Sequence, residues 1–139
     1  MGILNVTPDS FSDGGLAYSP EAAADRAEQL VAEGADILDL GAESTRPGAE
    51  PIDAATELSR LLPAIAAVRR RLPDIPLSVD TYKAEVAAAC IAAGADVIND
   101  VEGGSHEADP TRSPMARTCA RLGCPLILMH RRKEPNYKD

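Results

Sequence analysis

Short aliphatic runs alternate with stretches of helical periodicity along this chain, and that alternation constrains the fold more than any other feature. Strands are expected at residues 2–6, 36–40, 77–79, 97–98 and 126–129, and helices at residues 20–33, 53–72, 83–93 and 113–122. No hairpin signal joins consecutive strands, so a helix should carry the chain back between them. The pattern predicts an α/β fold with a parallel sheet, made of about four β/α units and a fifth strand.

Local chemistry marks several of these boundaries. Ser19 is a suitable N-cap and Pro20 fits the first position of a helix, whereas Gly34 is a natural helix stop. The sequence Gly-Ala-Asp precedes an apolar run at residues 34–36 and again at residues 94–96. This weak internal repeat is expected when one β/α unit follows another.

Two architectures could use such units, and the sequence favours a barrel. No Gly-x-Gly-x-x-Gly motif follows the first strand, which argues against a dinucleotide-binding sheet. An eight-stranded (β/α) barrel usually needs about 250 residues. The 139 residues therefore form one domain, expected to be the N-terminal portion of a partial (β/α)8 TIM barrel.

Composition excludes several function classes. The formal charge of −8 leaves no basic surface for nucleic acid, and the cluster Arg69, Arg70 and Arg71 is expected to close a helix, where the dipole favours cations. The three cysteines match no zinc or redox spacing. Neither a signal peptide nor an apolar run of about 18 residues is visible, so we expect no membrane contact and a cytoplasmic location.

Polar residues accumulate where the predicted strands end. Asn5 closes the first strand, Asp80 the third, Asn99 the fourth and His130 the fifth. In a parallel barrel these ends meet at one rim, which is the face that carries active sites. Carboxylate and amide groups there can pair with a heterocycle that has adjacent N–H and carbonyl groups.

The loops after the first two strands add groups suited to a phosphorylated ligand. Arg46 lies between Gly and Pro residues and offers a planar donor for phosphate oxygens. Asn5, Asp9 and Asp13 supply hard oxygen atoms, which suit Mg²⁺ held mainly through phosphates and water. The chemistry alone therefore indicates a phosphorylated heterocycle bound with Mg²⁺.

Simpler interpretations exist for these residues. Asp80 could be the N-cap of the helix that follows it, and Asn99 could satisfy a neighbouring backbone group. The Asp and Ser residues of the first loop could form turns. Arg46 could pair with Glu43 or Glu50 on the surface.

Longer motifs carry a family resemblance. The segment from Met1 to Gly15 (MGILNVTPDSFSDGG) resembles the opening signature of dihydropteroate synthases, and Glu43 to Gly48 (ESTRPG) resembles their second loop. Ser-Val-Asp-Thr at residues 78–81 and Ile-Asn-Asp at residues 98–100 match the next two strand ends in order. The resemblance covers essentially the whole chain.

The resemblance implies a function: condensation of a dihydropterin methyl pyrophosphate with p-aminobenzoate to give dihydropteroate and pyrophosphate, with Mg²⁺ as cofactor. Asp80 and Asn99 would bind the pterin, and Asn5 would help to hold Mg²⁺ and the pyrophosphate. Asp13 would stabilise the cation that develops when pyrophosphate leaves. Arg46 is the second residue assigned to catalysis, and it would act with the substrate-binding residues Phe11, Thr45 and Pro47 when the two loops close.

The resemblance reaches only part of the family's pattern. The family's later strands carry an Asp-Pro-Gly-Phe-Gly segment, a Ser-Arg-Lys segment and an Arg-x-His segment, and none of these occurs within residues 1–139. An isolated half barrel would expose two sheet edges, which favours self-association, for example as a homodimer. Two other functions remain open: a pterin-binding module like those of methyltetrahydrofolate–corrinoid methyltransferases, and a non-catalytic half barrel.

Overall fold

The computed structural model describes residues 1–7, 19–44, 48–102 and 113–129, and within them the expected alternation is confirmed. The strands are β1 (Gly2–Asn5), β2 (Leu38–Gly41), β3 (Leu77–Asp80), β4 (Val97–Asp100) and β5 (Leu126–Leu128). The helices are α1 (Pro20–Ala32), α2 (Ala54–Arg71), α3 (Ala84–Ala92) and α4 (Pro114–Leu122).

The five strands form one parallel sheet, whose order in space is β1-β2-β3-β4-β5. This is the arrangement of successive β/α units in a barrel wall. The third and fourth strands continue beyond the apolar runs at residues 77–79 and 97–98, because Asp80 pairs with Asn99 within the ladder. Asp80 thus closes β3, as predicted from the polar residues at the strand ends. The second strand starts two residues later than predicted, at Leu38.

Helix ends follow the expected chemistry. The Ser19 side chain accepts a hydrogen bond from the backbone N–H of Ala22 at 3.1 Å, and α1 begins at Pro20. Gly34 and Gly94 have φ values of 110° and 118°, a conformation that a side chain would strain. The internal repeat is thus structural, since both glycines end a helix just before a strand.

The core lies between the helices and one face of the sheet. That face consists of alternate strand residues that are almost completely buried, namely Leu4, Leu38, Leu40, Leu77, Val79 and Ile98. Against them pack Leu61, Ile65 and Val68 from the apolar stripe of α2. Burial of these aliphatic side chains is the main force that holds the helices on the sheet.

The arginine cluster at the end of α2 has a second use besides closing the helix. Arg71 forms ion pairs with Glu21 and Asp25 of α1. Arg69 donates to the carbonyl of Gly94 at 2.9 Å and pairs with Asp96, at the entrance to β4. These contacts fix α2 to both neighbouring units.

The opposite face of the sheet carries polar residues, among them Asp80 and Asn99, and some exposed apolar ones. Ile3 and Ile127 are 65% and 40% exposed, and Met129, just after β5, is 49% exposed. Within the described ranges, no helix combines the length and apolar character needed to cross a membrane.

Candidate active site

Three of the predicted site residues lie in one row across the carboxyl ends of the strands. The register pairs Asn5 with Gly41, Gly41 with Asp80, and Asp80 with Asn99. Residues in register on parallel strands project from the same face. The row lies on the face turned away from the helices, because the intervening residues Leu40 and Val79 are buried against them.

Gly41 leaves an open gap in the middle of this row. A methyl group built at Gly41 would lie 3.6 Å from Oδ2 of Asp80 and 3.9 Å from Oδ1 of Asn5. The two oxygen atoms therefore flank the space that a side chain would fill. A ligand atom that enters this space would meet an amide oxygen on one side and a carboxylate on the other.

A second polar layer lies one step deeper in the sheet. Asp39 is 6% exposed and Ser78 is 0% exposed. The Ser78 hydroxyl donates to Oδ1 of Asp39 at 2.7 Å, and the Asn99 side-chain amide donates to Oδ2 at 3.3 Å. Burial raises the pKa of Asp39, although both hydrogen bonds favour its ionised form. Asn99 thus bonds a carboxylate and not a backbone group, so the simpler interpretation of this residue is wrong.

Asp80 is held in an acidic environment. Burial and, after it, the negative charges of Asp39, Glu57, Asp100 and Glu102 raise the pKa of Asp80 to about 7. The N-cap of α3 is Lys83, so the interpretation of Asp80 as that helix's N-cap is also wrong. A carboxyl group with a pKa near neutrality at a strand end is a strong candidate for a ligand contact.

An ionic cluster of three residues, Glu43, Glu57 and Lys83, stands beside this row. Lys83 Nζ lies 2.8 Å from Oε2 of Glu43 and 2.7 Å from Oε1 of Glu57. Burial opposes the charged form of Lys83, but the hydrogen bonds to both glutamates outweigh it and raise the pKa of Lys83 above its usual range. The cluster joins the end of β2, the start of α2 and the segment after β3.

Two more side chains contact this cluster. The Thr81 hydroxyl donates to Oε2 of Glu57 at 2.6 Å, and the Tyr82 hydroxyl donates to Oε1 of Glu43 at 3.0 Å. Lys83 Nζ also lies 4.4 Å from the centre of the Tyr82 ring. Glu43 is the first residue of the Glu43–Gly48 motif, so the cluster fixes the base of that loop.

A cavity of about 360 Å³ opens above these residues. It is lined by Glu43, Ser44, Glu57, Asp80, Thr81, Tyr82, Val101, Glu102 and Met129. Its volume falls at the lower end of the range for small-molecule sites. The cavity contacts both Asp80 and the base of the second loop, as a site built from strand ends requires.

The remaining predicted residues fall outside the described ranges. They are Phe11, Asp13, Thr45, Arg46 and Pro47, together with Asp9 and His130. Their assigned roles stay predictions, and so does the alternative of a surface ion pair for Arg46.

Sequence reasoning did not find Asp39, Glu57 or Lys83. A signal existed for two of them. Glu57 stands four residues before Leu61, on the buried stripe of α2, and Asp39 interrupts an apolar strand between Leu38 and Leu40. Charged residues at such positions are rarely buried without a partner.

Similarity to known proteins agrees with this geometry. A family model described as "Pterin binding enzyme" matches residues 1–139. The chain belongs to the pterin-binding enzyme family. A dihydropteroate synthase of Bacillus subtilis is 50% identical over 139 residues, which are 100% of this chain and 47% of that protein.

Solved structures of family members share the fold. A Xanthomonas albilineans dihydropteroate synthase with 4-aminobenzoic acid superposes with a TM-score of 0.81 at 44% identity, covering 98% of this chain and 48% of that one. A Burkholderia cenocepacia dihydropteroate synthase with 7,8-dihydropteroate gives a TM-score of 0.72 at 44% identity, covering 99% and 42%. The chain spans about half the length of the curated relatives it matches. The described sheet therefore corresponds to part of a TIM barrel, as predicted.

Proposed function

We propose that the protein to which these residues belong is a dihydropteroate synthase. The row Asn5, Gly41, Asp80 and Asn99 carries this proposal, because it gathers amide and carboxylate groups at the strand ends of a pterin-binding family member. The reaction would join dihydropterin methyl pyrophosphate to p-aminobenzoate and release pyrophosphate. The ligands of the two relatives' structures, 4-aminobenzoic acid and 7,8-dihydropteroate, support this choice of substrates.

The pterin would bind through Asp80 and Asn99. Adjacent on β3 and β4, they offer a carboxylate and an amide to the donor and acceptor atoms of one heterocycle edge. Ionised Asp80 accepts two hydrogen bonds from N–H groups, whereas its protonated form also donates. A pKa of about 7 makes both forms accessible near neutral pH.

Mg²⁺ would bind at this row together with the substrate, with only one or two protein atoms among its ligands. Among residues 1–7, 19–44, 48–102 and 113–129, no group of three or more His, Cys, Asp or Glu is arranged to hold a metal. Asn5 Oδ1 beside the gap at Gly41 is a hard oxygen donor, and Mg²⁺ commonly takes one or two protein ligands plus phosphate and water. When bound, the ion would offset the charge of the leaving pyrophosphate. Asn5 would hold it in place.

The two loops would complete the site. Asp13 would stabilise the cationic pterin, and Arg46 would neutralise the pyrophosphate, while Phe11, Thr45 and Pro47 would surround the p-aminobenzoate. Closure would exclude water that otherwise competes for the cation. The aromatic amine is already nucleophilic and needs no general base.

We extend the proposal to the protein's setting. A folate-pathway enzyme without a membrane contact would work in the cytoplasm, and the exposed apolar residues of the sheet's open face favour association with further β/α units or with a second copy.

Calorimetric titration of dihydropterin pyrophosphate into the chain, with and without Mg²⁺, tests the proposal. We expect binding that Mg²⁺ strengthens, that Asp80→Ala abolishes and that Asp36→Ala leaves unchanged, since Asp36 is exposed at the opposite end of the sheet. p-Aminobenzoate added after pyrophosphate and pterin should bind in turn, which would separate a synthase from a corrinoid methyltransferase module. A folded chain that binds none of these ligands would show that the described strand ends do not suffice for a pterin site.

A further inference from the structure

Asp39 is an ionisable residue at a buried position of the sheet, and such a residue is stable there only with hydrogen-bond partners. It lies in the middle of β2 between two fully buried leucines and is itself 6% exposed. Its carboxylate shares the face of the sheet that carries Asp80 and Asn99, one layer below them. A buried carboxylate costs stability unless its oxygen atoms are hydrogen-bonded.

Both oxygen atoms of Asp39 are engaged, and by different strands. Oδ1 accepts from the hydroxyl of Ser78 on β3 at 2.7 Å. Oδ2 accepts from Nδ2 of Asn99 on β4 at 3.3 Å. The Ser78 contact alone would satisfy only one side of the carboxylate, so the contact with Asn99 is an integral part of the arrangement.

The chemistry of the two groups decides how the Asn99 amide is turned. An ionised carboxylate only accepts hydrogen bonds, whereas an amide has a donor end and an acceptor end. The NH₂ of Asn99 therefore faces Asp39, and its Oδ1 is left for other donors. Oδ1 of Asn99 and the carboxylate of Asp80, its neighbour in the row, then form a pair of acceptors.

We propose that Asp39 is a positioning residue that fixes the Asn99 amide with its oxygen toward the ligand, and so selects a heterocycle edge with neighbouring N–H donors. The proposal rests on the function proposed above and deepens it, since it names the hydrogen-bonding polarity that the site demands. Asp39 acts through Asn99 and does not itself touch the ligand.

The first test needs no ligand. In ¹⁵N spectra of the intact chain, the side-chain NH₂ of Asn99 should exchange slowly with water. Asp39→Ala removes both acceptor oxygen atoms, so the Asn99 NH₂ loses the partner that holds it in place. We expect the exchange of the Asn99 NH₂ to accelerate by about tenfold or more, the loss expected for a hydrogen bond to a charged group. Unchanged exchange would overturn the proposal.

The second test is a double-mutant cycle on the dissociation constant of 7,8-dihydropterin. At pH 8.5 the Asp80 carboxyl, with a pKa of about 7, is ionised whether or not Asp39 is charged. We expect Asp39→Ala and Asn99→Ala each to weaken binding about tenfold, and the double variant to be no weaker than Asn99→Ala alone. Additive losses would mean that Asp39 acts on stability in general and would sink the idea.

A matched control guards against a general effect of replacing a hydrogen-bonded aspartate. Asp96 accepts a hydrogen bond from the backbone N–H of Leu77 at 2.9 Å, at the opposite end of the sheet. Asp96→Ala should leave both the Asn99 exchange rate and the dihydropterin affinity unchanged, within about twofold. If the wild-type chain binds no dihydropterin, the proposed function fails for this chain, whereas the exchange experiment still decides the role of Asp39.

Discussion

Lys83 Nζ lies 2.7 Å from Oε1 of Glu57, a carboxylate that is only 1% exposed at the interface of α2 with the sheet. The remaining oxygen of Glu57 accepts from Thr81, and Lys83 also pairs with Glu43. A glutamate at this depth is tolerated because its hydrogen bonds and its counter-charge replace the water it has lost. The removal of Lys83 would leave that charge buried and unpaired.

Lys83→Met should therefore destabilise the fold strongly. Methionine keeps most of the apolar stem but removes the ammonium group, and loss of one partner from a buried ion pair costs about 3–5 kcal/mol. Urea unfolding followed by circular dichroism would measure the change. Arg70→Met is the matched control, because the Arg70–Glu21 pair is exposed and should contribute less than about 1 kcal/mol. Equal effects of the two substitutions would contradict the role given to the ionic cluster.

Asp80→Asn should stabilise the protein, and the gain should depend on pH. Folding raises the pKa of Asp80 from 3.8 to about 7, so between these values the folded state holds a proton that the unfolded state has released. The contribution of the Asp80 carboxyl to the free energy of unfolding of the wild-type protein is therefore lost as pH rises from about 4 to about 7. The loss is complete above that range. The asparagine side chain that replaces Asp80 is neutral at every pH, so the variant does not suffer this loss.

The expected gain of Asp80→Asn is about 1–2 kcal/mol at pH 8 and close to zero at pH 4, after a discount for partial solvent exposure. Thermal unfolding at both pH values would measure it. Asp74→Asn, at an exposed position, should change stability by less than about 0.5 kcal/mol at either pH. A gain that is the same at pH 4 and pH 8 would refute the raised pKa.

Gly41→Ala should separate stability from ligand binding. The added methyl group would make only ordinary contacts of 3.6–3.9 Å, so the free energy of unfolding should change by less than about 1 kcal/mol. The same methyl group fills the gap between Asn5 and Asp80, and we expect the affinity for dihydropterin pyrophosphate with Mg²⁺ to fall about tenfold.

Gly34→Ala provides the converse case, with calorimetry and urea unfolding as the two measurements. Gly34 has a φ of 110° and lies at the far end of the sheet, so alanine there should cost about 1–2 kcal/mol of stability and leave affinity unchanged. Full affinity in Gly41→Ala would mean that the ligand does not use the gap.

The three thiols should differ in reactivity. Burial raises the pKa of Cys90 and Cys119 to about 12, and the two side chains are 0% and 3% exposed. Since the thiolate is the reactive form, a disulfide reagent at pH 8 should label Cys124 rapidly in the native protein and all three only in guanidinium. Cys124→Ser should remove the rapid phase. Rapid labelling of all three native thiols would show that the Cys90 site opens to solvent.

The order and type of the elements could be predicted because their signals are local. Ser19, Pro20 and Gly34 delimit α1 through contacts within a few residues of each other. Strand ends were less certain from the apolar runs alone, which stop at residues 79 and 98, whereas ladder pairing continues β3 through Asp80 and β4 through Asp100. A polar residue can continue a strand when its neighbours in space also pair, and sequence does not reveal those neighbours.

Only part of the candidate site could be predicted from the sequence. Asn5, Asp80 and Asn99 could be placed together because parallel strands share one carboxyl edge. The hydrogen-bond partners of Asn99 and Glu57 could not be predicted. Asp39 lies 60 residues from Asn99 in the chain, and Lys83 lies 26 residues from Glu57. Such hydrogen bonds depend on the register of neighbouring strands and on how α2 packs, which only the folded structure fixes.

The spatial order of the strands is also their order along the chain. Each strand therefore finds its hydrogen-bonding edge on the strand synthesised immediately before it, and each closure spans a single helix and its loops. Each of these closures loses less chain entropy than a pairing between strands that are further apart in the chain would. Assembly can therefore proceed from the N-terminus during synthesis, because each new strand pairs with the exposed edge of the strand that precedes it in the chain.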